Sequence, residues 1–218
     1  MDNSTRLQYL SAMGIDVWVP RYAKEGEAVV AEAEIESWES LQAEMLTCQQ
    51  CDLSQSRHQV VLGSGNPQAD YLWVTEAPSE EDDQQGLPFS DHSGDLLNEM
   101  LRAMKLSREA VFITHIVKCR PPEDRDPRVK ELDACGQFLQ RQISLVQPKI
   151  IIAVGRVAAQ KLLQSKKPLA ELRESEHELY GIPLLTIYHP AYLLRSLTEK
   201  SKAWQDMQRA LTLLEKVK

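Results

Sequence analysis

The chain has 218 residues, 43% hydrophobic, 26% charged and 6% aromatic, a composition that fits one globular domain with a short appendage. Its 25 basic and 32 acidic residues leave a net charge of −7, which excludes a uniformly basic nucleic-acid binder. No apolar run is long enough for a transmembrane helix, and the opening MDNSTRLQYL lacks the basic and apolar regions of an export signal, so a cytoplasmic location without a membrane segment is expected. The charge is polarised: residues 1–110 carry 7 basic and 20 acidic side chains, residues 111–218 carry 18 and 12. That distribution allows a local nucleic-acid surface and equally suits protein partners.

In chain order, Leu7, Leu10 and Met13 share one face at helical spacing, Gly14 ends that helix, and residues 15–20 alternate like an extended segment. Residues 25–40, rich in Glu and Ala, read as an acidic linker running into a helix. The expected division is therefore 1–24, 25–40 and a main domain at 41–218. From residue 70 short β-branched runs at 71–76, 111–117, 150–155 and 183–189 alternate with helical patterns at 93–106, 129–146, 156–164 and 198–217. Near-continuous apolar strands separated by helices predict an α/β fold whose parallel sheet is covered on both faces. Such sheets carry their sites at the carboxyl ends of strands, where Glu76, His115, Cys119 and His189 fall. The acidic run at residues 80–83 reads as a solvated loop.

Four cysteines in a chain without an export signal point to metal or chemistry before disulfides. Cys48 and Cys51 form a C-x2-C pair, and Cys119 and Cys135 lie far along the chain. One tight pair with two dispersed ligands suits an all-cysteine site for zinc or for an iron–sulfur cluster, and spacing alone does not choose between them. The plain alternative is four small buried thiols. The basic residues Lys118, Arg120, Arg125, Arg128 and Lys130 nearby could touch phosphate, but beside Glu123, Asp124 and Asp126 they read rather as a solvated rim.

The ordered segments CQQCDL, TEAPSEEDDQQGLPF, FITHIVKCRPPEDRDP with Cys135, and HPAYLLR, spread over residues 48–195, resemble the family 4 uracil-DNA glycosylases. The resemblance implies a three-layer α/β/α fold with a four-stranded parallel sheet, and a 4Fe–4S cluster on Cys48, Cys51, Cys119 and Cys135. It further implies that Glu76 orients the water attacking C1′, that Phe89 stacks on the flipped base, and that His189 supports the departing uracil anion. The HPAYLLR loop would wedge the duplex. These residue types suit the chemistry, since a flipped base needs stacking and edge hydrogen bonds and a leaving anion needs preorganised donors. The sequence departs from the family at Thr75 and Ser79, where glycines are usual, at Asp91-His92 in place of Gly-Arg, and at His115 in place of the asparagine that reads the uracil edge. Imidazole cannot offer an adjacent donor and acceptor to one base edge, so a degenerate, inactive pocket is expected.

The stretch from Arg6 to Trp18 resembles the opening of the psi subunits of bacterial DNA polymerase III. That resemblance implies a clamp-loader docking peptide anchored by Leu7, Leu10, Met13, Ile15 and Trp18, in keeping with aromatic hot-spot physics. It also implies as partners the clamp-loader subunits and the chi subunit, single-strand-binding protein through chi, and a weak DNA contact. The resulting expectation is a replicase accessory subunit with vestigial Glu76 and His189. Its alternative is an active uracil-DNA glycosylase of base-excision repair, and zinc is the alternative to the cluster.

Overall fold

The computed structural model divides the chain into two compact units, Met1–Ile35 and Glu36–Lys218. The described residues are Thr5, Tyr9, Leu10 and 12–14 in the first unit and 37–217 in the second. In the first, Tyr9 and Leu10 are helical, Met13 N–H donates to the Tyr9 carbonyl, and Met13 is exposed while Leu10 is half-buried. Leu7, Ile15 and Trp18 lie outside the described residues.

The second unit is built on a six-stranded sheet. Its strands are β1 (Ser64–Gly65), β2 (Tyr71–Thr75), β3 (Phe112–His115), β4 (Ile150–Val154), β5 (His177–Leu179) and β6 (Ile182–Ile187), in the order β1-β3-β2-β4-β6-β5. The four central strands are mutually parallel. Their sequences YLWVT, FITH, IIIAV and IPLLTI are buried on both faces except at the start of β6, so alternation is suppressed as expected between two helix layers. The predicted four-stranded parallel sheet is thus the centre of the real one. Antiparallel β1 and β5 extend its edges; at two and three residues they are too short to leave a period-2 signal.

The helices are α1 (Trp38–Thr47), α2 (Leu53–Ser56), α3 (Glu80–Gln85), α4 (His92–Ala103), α5 (Val129–Val146), α6 (Arg156–Leu162), α7 (Leu169–Arg173), α8 (Pro190–Arg195) and α9 (Lys200–Val217). One face of the sheet, with Tyr71, Trp73, Ile113 and Ile152, packs on Leu97 and Leu101 of α4, Leu193 of α8 and Met207 of α9. The other face, with Leu72, Val74 and Ile151, packs on Ile143 of α5, Ala158 of α6 and Leu172 of α7. A third apolar group, Leu41 and Met45 of α1 with Val117 and Phe138, lies beside Cys135. No helix among the described residues is long and apolar enough to cross a membrane.

The acidic run at 80–83 is not a solvated loop. It forms α3, whose start carries a reciprocal cap: Ser79 Oγ accepts from Asp82 N–H and Asp82 Oδ2 accepts from Ser79 N–H. Asp82 and Asp83 are both buried, and Asp83 accepts from the backbone of His58 and Gln59. Run composition hides this because the helix is short and its burial comes from loops distant in sequence.

Arg173 and Asp206 form a buried pair at 2.7 Å, and the Arg173 guanidinium lies 4.3 Å from the centre of the Tyr188 ring. Burial pushes the Asp206 carboxyl up to about 6, against the pull of Arg173 and Arg209. Asp206→Ala would leave Arg173 buried and unpaired, and is expected to cost about 3–5 kcal/mol. Thermal unfolding should read this as a fall in Tm of roughly 10 °C; an unchanged Tm would show that the pair contributes nothing.

Candidate active site and cysteine centre

Glu76, His115, Gly155 and His189 all stand at or just beyond the carboxyl ends of the parallel strands β2, β3, β4 and β6, where strand direction gathers loops into a single rim. A cleft of about 830 Å³ opens there, with Glu76, Ser79, Arg156, Tyr188, His189 and Tyr192 in its wall. Glu76 is fastened at the start of α6: its Oε1 accepts from Val157 N–H at 3.0 Å. Gly155 makes this contact feasible, since its φ is +91° and a Cβ there would stand 2.5 Å from Glu76 Oε1. Burial raises the Glu76 carboxyl above the usual glutamate range; the Val157 N–H opposes this, Asp126 adds to it and Arg156 counters it.

His189 caps α8, its Nδ1 accepting from Ala191 N–H at 3.1 Å. That bond places the proton of the neutral ring on Nε2. Burial pushes the imidazole down to about 4, so the ring is neutral at pH 7 and acts as a single N–H donor. Phe89 stacks on it at 5.4 Å between centroids with an interplanar angle of 27°. The Phe89 backbone sits at φ +54°, held by Arg108, which donates to the carbonyls of Pro88 and Phe89. His115 and Phe89 are not in the cleft wall; both are buried, His115 to 1% exposure. The structure therefore brings Glu76 and His189 together in one cleft and Phe89 against His189, while His115 pairs with Asp82, its Nε2 lying 3.2 Å from Asp82 Oδ2. Sequence reasoning missed Asp82, although Ser79-x-x-Asp82 is the signature of a helix start.

Cys48, Cys51, Cys119 and Cys135 are free thiols, and all four line one small pocket together with Arg57 and Phe138. The C-x2-C pair leaves the end of α1, Cys119 follows β3 and Cys135 lies on α5. Arg57 Nη1 donates to Cys119 Sγ at 3.1 Å, and Lys118 N–H donates to Cys135 Sγ at 3.3 Å. Burial pushes the Cys135 thiol up to about 11, against the pull of Lys118; burial likewise raises Cys119, opposed by Arg57. Among the described residues, no group of three or more His, Cys, Asp or Glu side chains is arranged to hold a metal ion. The four thiols line one small pocket, and donors from Arg57 and the Lys118 backbone reach two of the sulfurs.

The basic rim is corrected at one position. Lys118 is 2% exposed, its Nζ bonded to Thr114 Oγ1, Gln142 Oε1 and the His115 carbonyl. Arg120 pairs with Glu80 and Asp124, Arg125 with Glu131, and Arg156 with Asp126, as a rim of mixed sign would.

The profile of the uracil DNA glycosylase superfamily matches residues 62–208. Relatives include the type-4 uracil-DNA glycosylase of Archaeoglobus fulgidus, 36% identical over 73% of this chain and 84% of its own length. That of Thermotoga maritima is 36% identical over 78% and 90%, and that of Saccharolobus solfataricus 39% over 69% and 74%. These matches overturn the reading as a DNA polymerase III psi subunit, and with it clamp-loader subunits, chi and single-strand-binding protein as partners: nothing in the comparisons points to them. The physical reason is information content. Helix-spaced apolar residues such as Leu7, Leu10 and Met13, followed by Ile15 and Trp18, recur in any amphipathic peptide, whereas the glycosylase motifs extend over most of the chain. The expectation of an inactive body is overturned by the same relatives, which favour the alternative reading.

Proposed function

The chain belongs to the uracil-DNA glycosylase superfamily, and from that premise we propose that it is an active glycosylase that hydrolyses the bond between uracil and deoxyribose in DNA. The observation that carries this reading is the half-buried, backbone-anchored Glu76 carboxylate sharing one cleft with a neutral, N–H-donating His189. In the proposed step a water oriented by Glu76 bonds to C1′ as the C1′–N1 bond breaks. Its proton passes to the carboxylate and the bonding pair leaves with the base. His189 Nε2–H donates to the base oxygen on which charge develops, as a preorganised donor in the cleft wall. A neutral imidazole suits this role because it donates without the cost of burying a cation.

Cys48, Cys51, Cys119 and Cys135 would hold a 4Fe–4S cluster. Its contribution when bound is structural, tying α1 and the 48–51 loop to the β3 end and α5. Arg57 and the Lys118 N–H donate to sulfur, contacts that stabilise thiolate ligands. Residues 1–24 as a peptide separate from the 41–218 body, joined by the acidic stretch 25–40, remain the proposed organisation.

The test is release of uracil from single- and double-stranded oligonucleotides by the full chain carrying its metal group, beside an established uracil glycosylase. Turnover with retained DNA backbone is the expected result. Absence of any release from either substrate would overturn the reading.

A further inference from the structure

The residue before His189 is gripped from three elements. Tyr188 leaves the carboxyl end of β6 and stands in the cleft wall beside His189. The Arg173 guanidinium of α7 lies over its ring at 4.3 Å, and the Tyr192 ring of α8 meets it at 5.0 Å with an interplanar angle of 37°. Its hydroxyl reaches Glu199, just before α9, where Lys202 first and Tyr188 after it hold the carboxyl below its ordinary range. Arg173 is itself fixed. Its Nε donates to Asp206 Oδ2 at 2.7 Å and its Nη2 to the Lys202 carbonyl at 3.2 Å, both on α9, while Arg209 donates to the Arg173 carbonyl.

Leu172 of α7 packs on one face of the sheet and Met207 of α9 on the other. The Arg173–Asp206 pair therefore ties both helix layers to the ring at the end of β6. A buried ion pair adds little net stability over an apolar replacement, but it does impose a defined orientation on what it touches. The His189 backbone is extended, with φ −66° and ψ 137°, and successive side chains on an extended chain point to opposite sides. Holding the Tyr188 ring thus settles the side to which the His189 imidazole turns. One residue earlier, the Ile187 carbonyl accepts from Gly155 N–H at 2.9 Å, and Gly155 is the residue that makes room for the Glu76 carboxylate. The same short stretch is in register with both groups of the cleft.

We propose that Tyr188 is a positioning residue for His189, locked by Arg173, Tyr192 and Glu199 so that the helix layers on both faces of the sheet hold the imidazole in its donating pose. Its chemical consequence rests on the glycosylase reading. Tyr188 acts through its neighbour and not on the substrate: the latch keeps the His189 ring packed away from water, and Nε2–H aimed into the cleft before a base arrives. A donor already in place costs no reorganisation when charge develops, and a displacement of about 1 Å is enough to cost roughly 100-fold in rate.

Histidine NMR and single-turnover uracil release, both on the full-length holoprotein, test the latch. The His189 signal is assigned by its absence from His189→Gln. In the unaltered chain burial sets its titration at about 4, against Asp91 and Asp82 and with His115 and Arg195; in Tyr188→Leu it should move up toward the ordinary histidine value of 6.5 as the ring meets water. Tyr188→Leu should slow release by about 10–100-fold with DNA affinity within a few-fold, and Tyr188→Phe, which keeps the ring under Arg173, should recover most of the rate. In a His189→Gln background Tyr188→Leu should cost nothing further, because the group it positions is gone. Arg173→Lys keeps the charge opposite Asp206 but loses the planar group, so it should slow release by about 2–30-fold even if Tyr188→Leu does not fold. Full activity in Tyr188→Leu or, where that variant does not fold, in Arg173→Lys overturns the proposal. So does an unmoved His189 titration, or a loss that adds to that of His189→Gln, which would make Tyr188 a direct substrate contact. No release by the unaltered chain removes the glycosylase reading instead, and the His189 titration still decides the latch.

Discussion

Glu76→Gln is expected to slow uracil release by about 10²–10⁴-fold, the usual contribution of a positioned acid–base group, with the fold unchanged. The amide is isosteric and its oxygen still accepts from Val157 N–H, so an unchanged Tm should accompany the loss. Single-turnover kinetics decide it, and a variant within a few-fold of the unaltered chain would remove Glu76 from the reaction. The pH profile adds a signature. The carboxylate is the working form, so activity rises as pH passes its pKa. Burial lifts that pKa, so the acid limb should lie above the range of an ordinary glutamate. Arg156 lowers it and Asp126 raises it; Arg156→Leu should therefore move the limb to higher pH and Asp126→Asn to lower pH.

Purified without exposure to air, the protein should be brown, absorb broadly in the visible, and contain iron and acid-labile sulfide in equal amounts. Cys135→Ala should abolish the colour and lower Tm by roughly 10 °C, because a cross-link joining segments this distant in sequence contributes about 3–4 kcal/mol through the unfolded state. A colourless protein with stoichiometric zinc would replace the cluster by zinc, and a metal-free protein of unchanged Tm would leave four structural thiols. Buried thiols lifted as far as Cys135, to about 11, are poor nucleophiles in the free state. A bound cation inverts that balance by favouring thiolates.

Much of the sheet was legible because burial on both faces writes itself as apolar runs. The pattern at 129–146 coincides with α5, and the runs at 71–76, 111–117 and 150–155 contain β2, β3 and β4. Edge strands β1 and β5 were not legible, being too short for periodicity. The carboxyl-end positions of Glu76, His115 and His189 followed from strand direction alone. The partner of His115 did not: Asp82 lies 33 residues away, and inside an acidic run its charge suggested solvent.

The sequence by itself determined the α/β architecture, the spacing of the four thiols and the placing of Glu76 and His189 at strand ends, because residue type, spacing and hydrophobic period are local properties. Only the tertiary structure decided that the thiols share one cavity, that Gly155 makes room for the Glu76 carboxylate, and that Thr75 and His115 lie side by side with one unmet hydrogen bond each. Those facts depend on strand register and on loops packed against one another, which bring together groups separated by tens of residues along the chain. Desolvation, which lifts Glu76 and pushes down His189, likewise exists only once the chain has excluded water from around them.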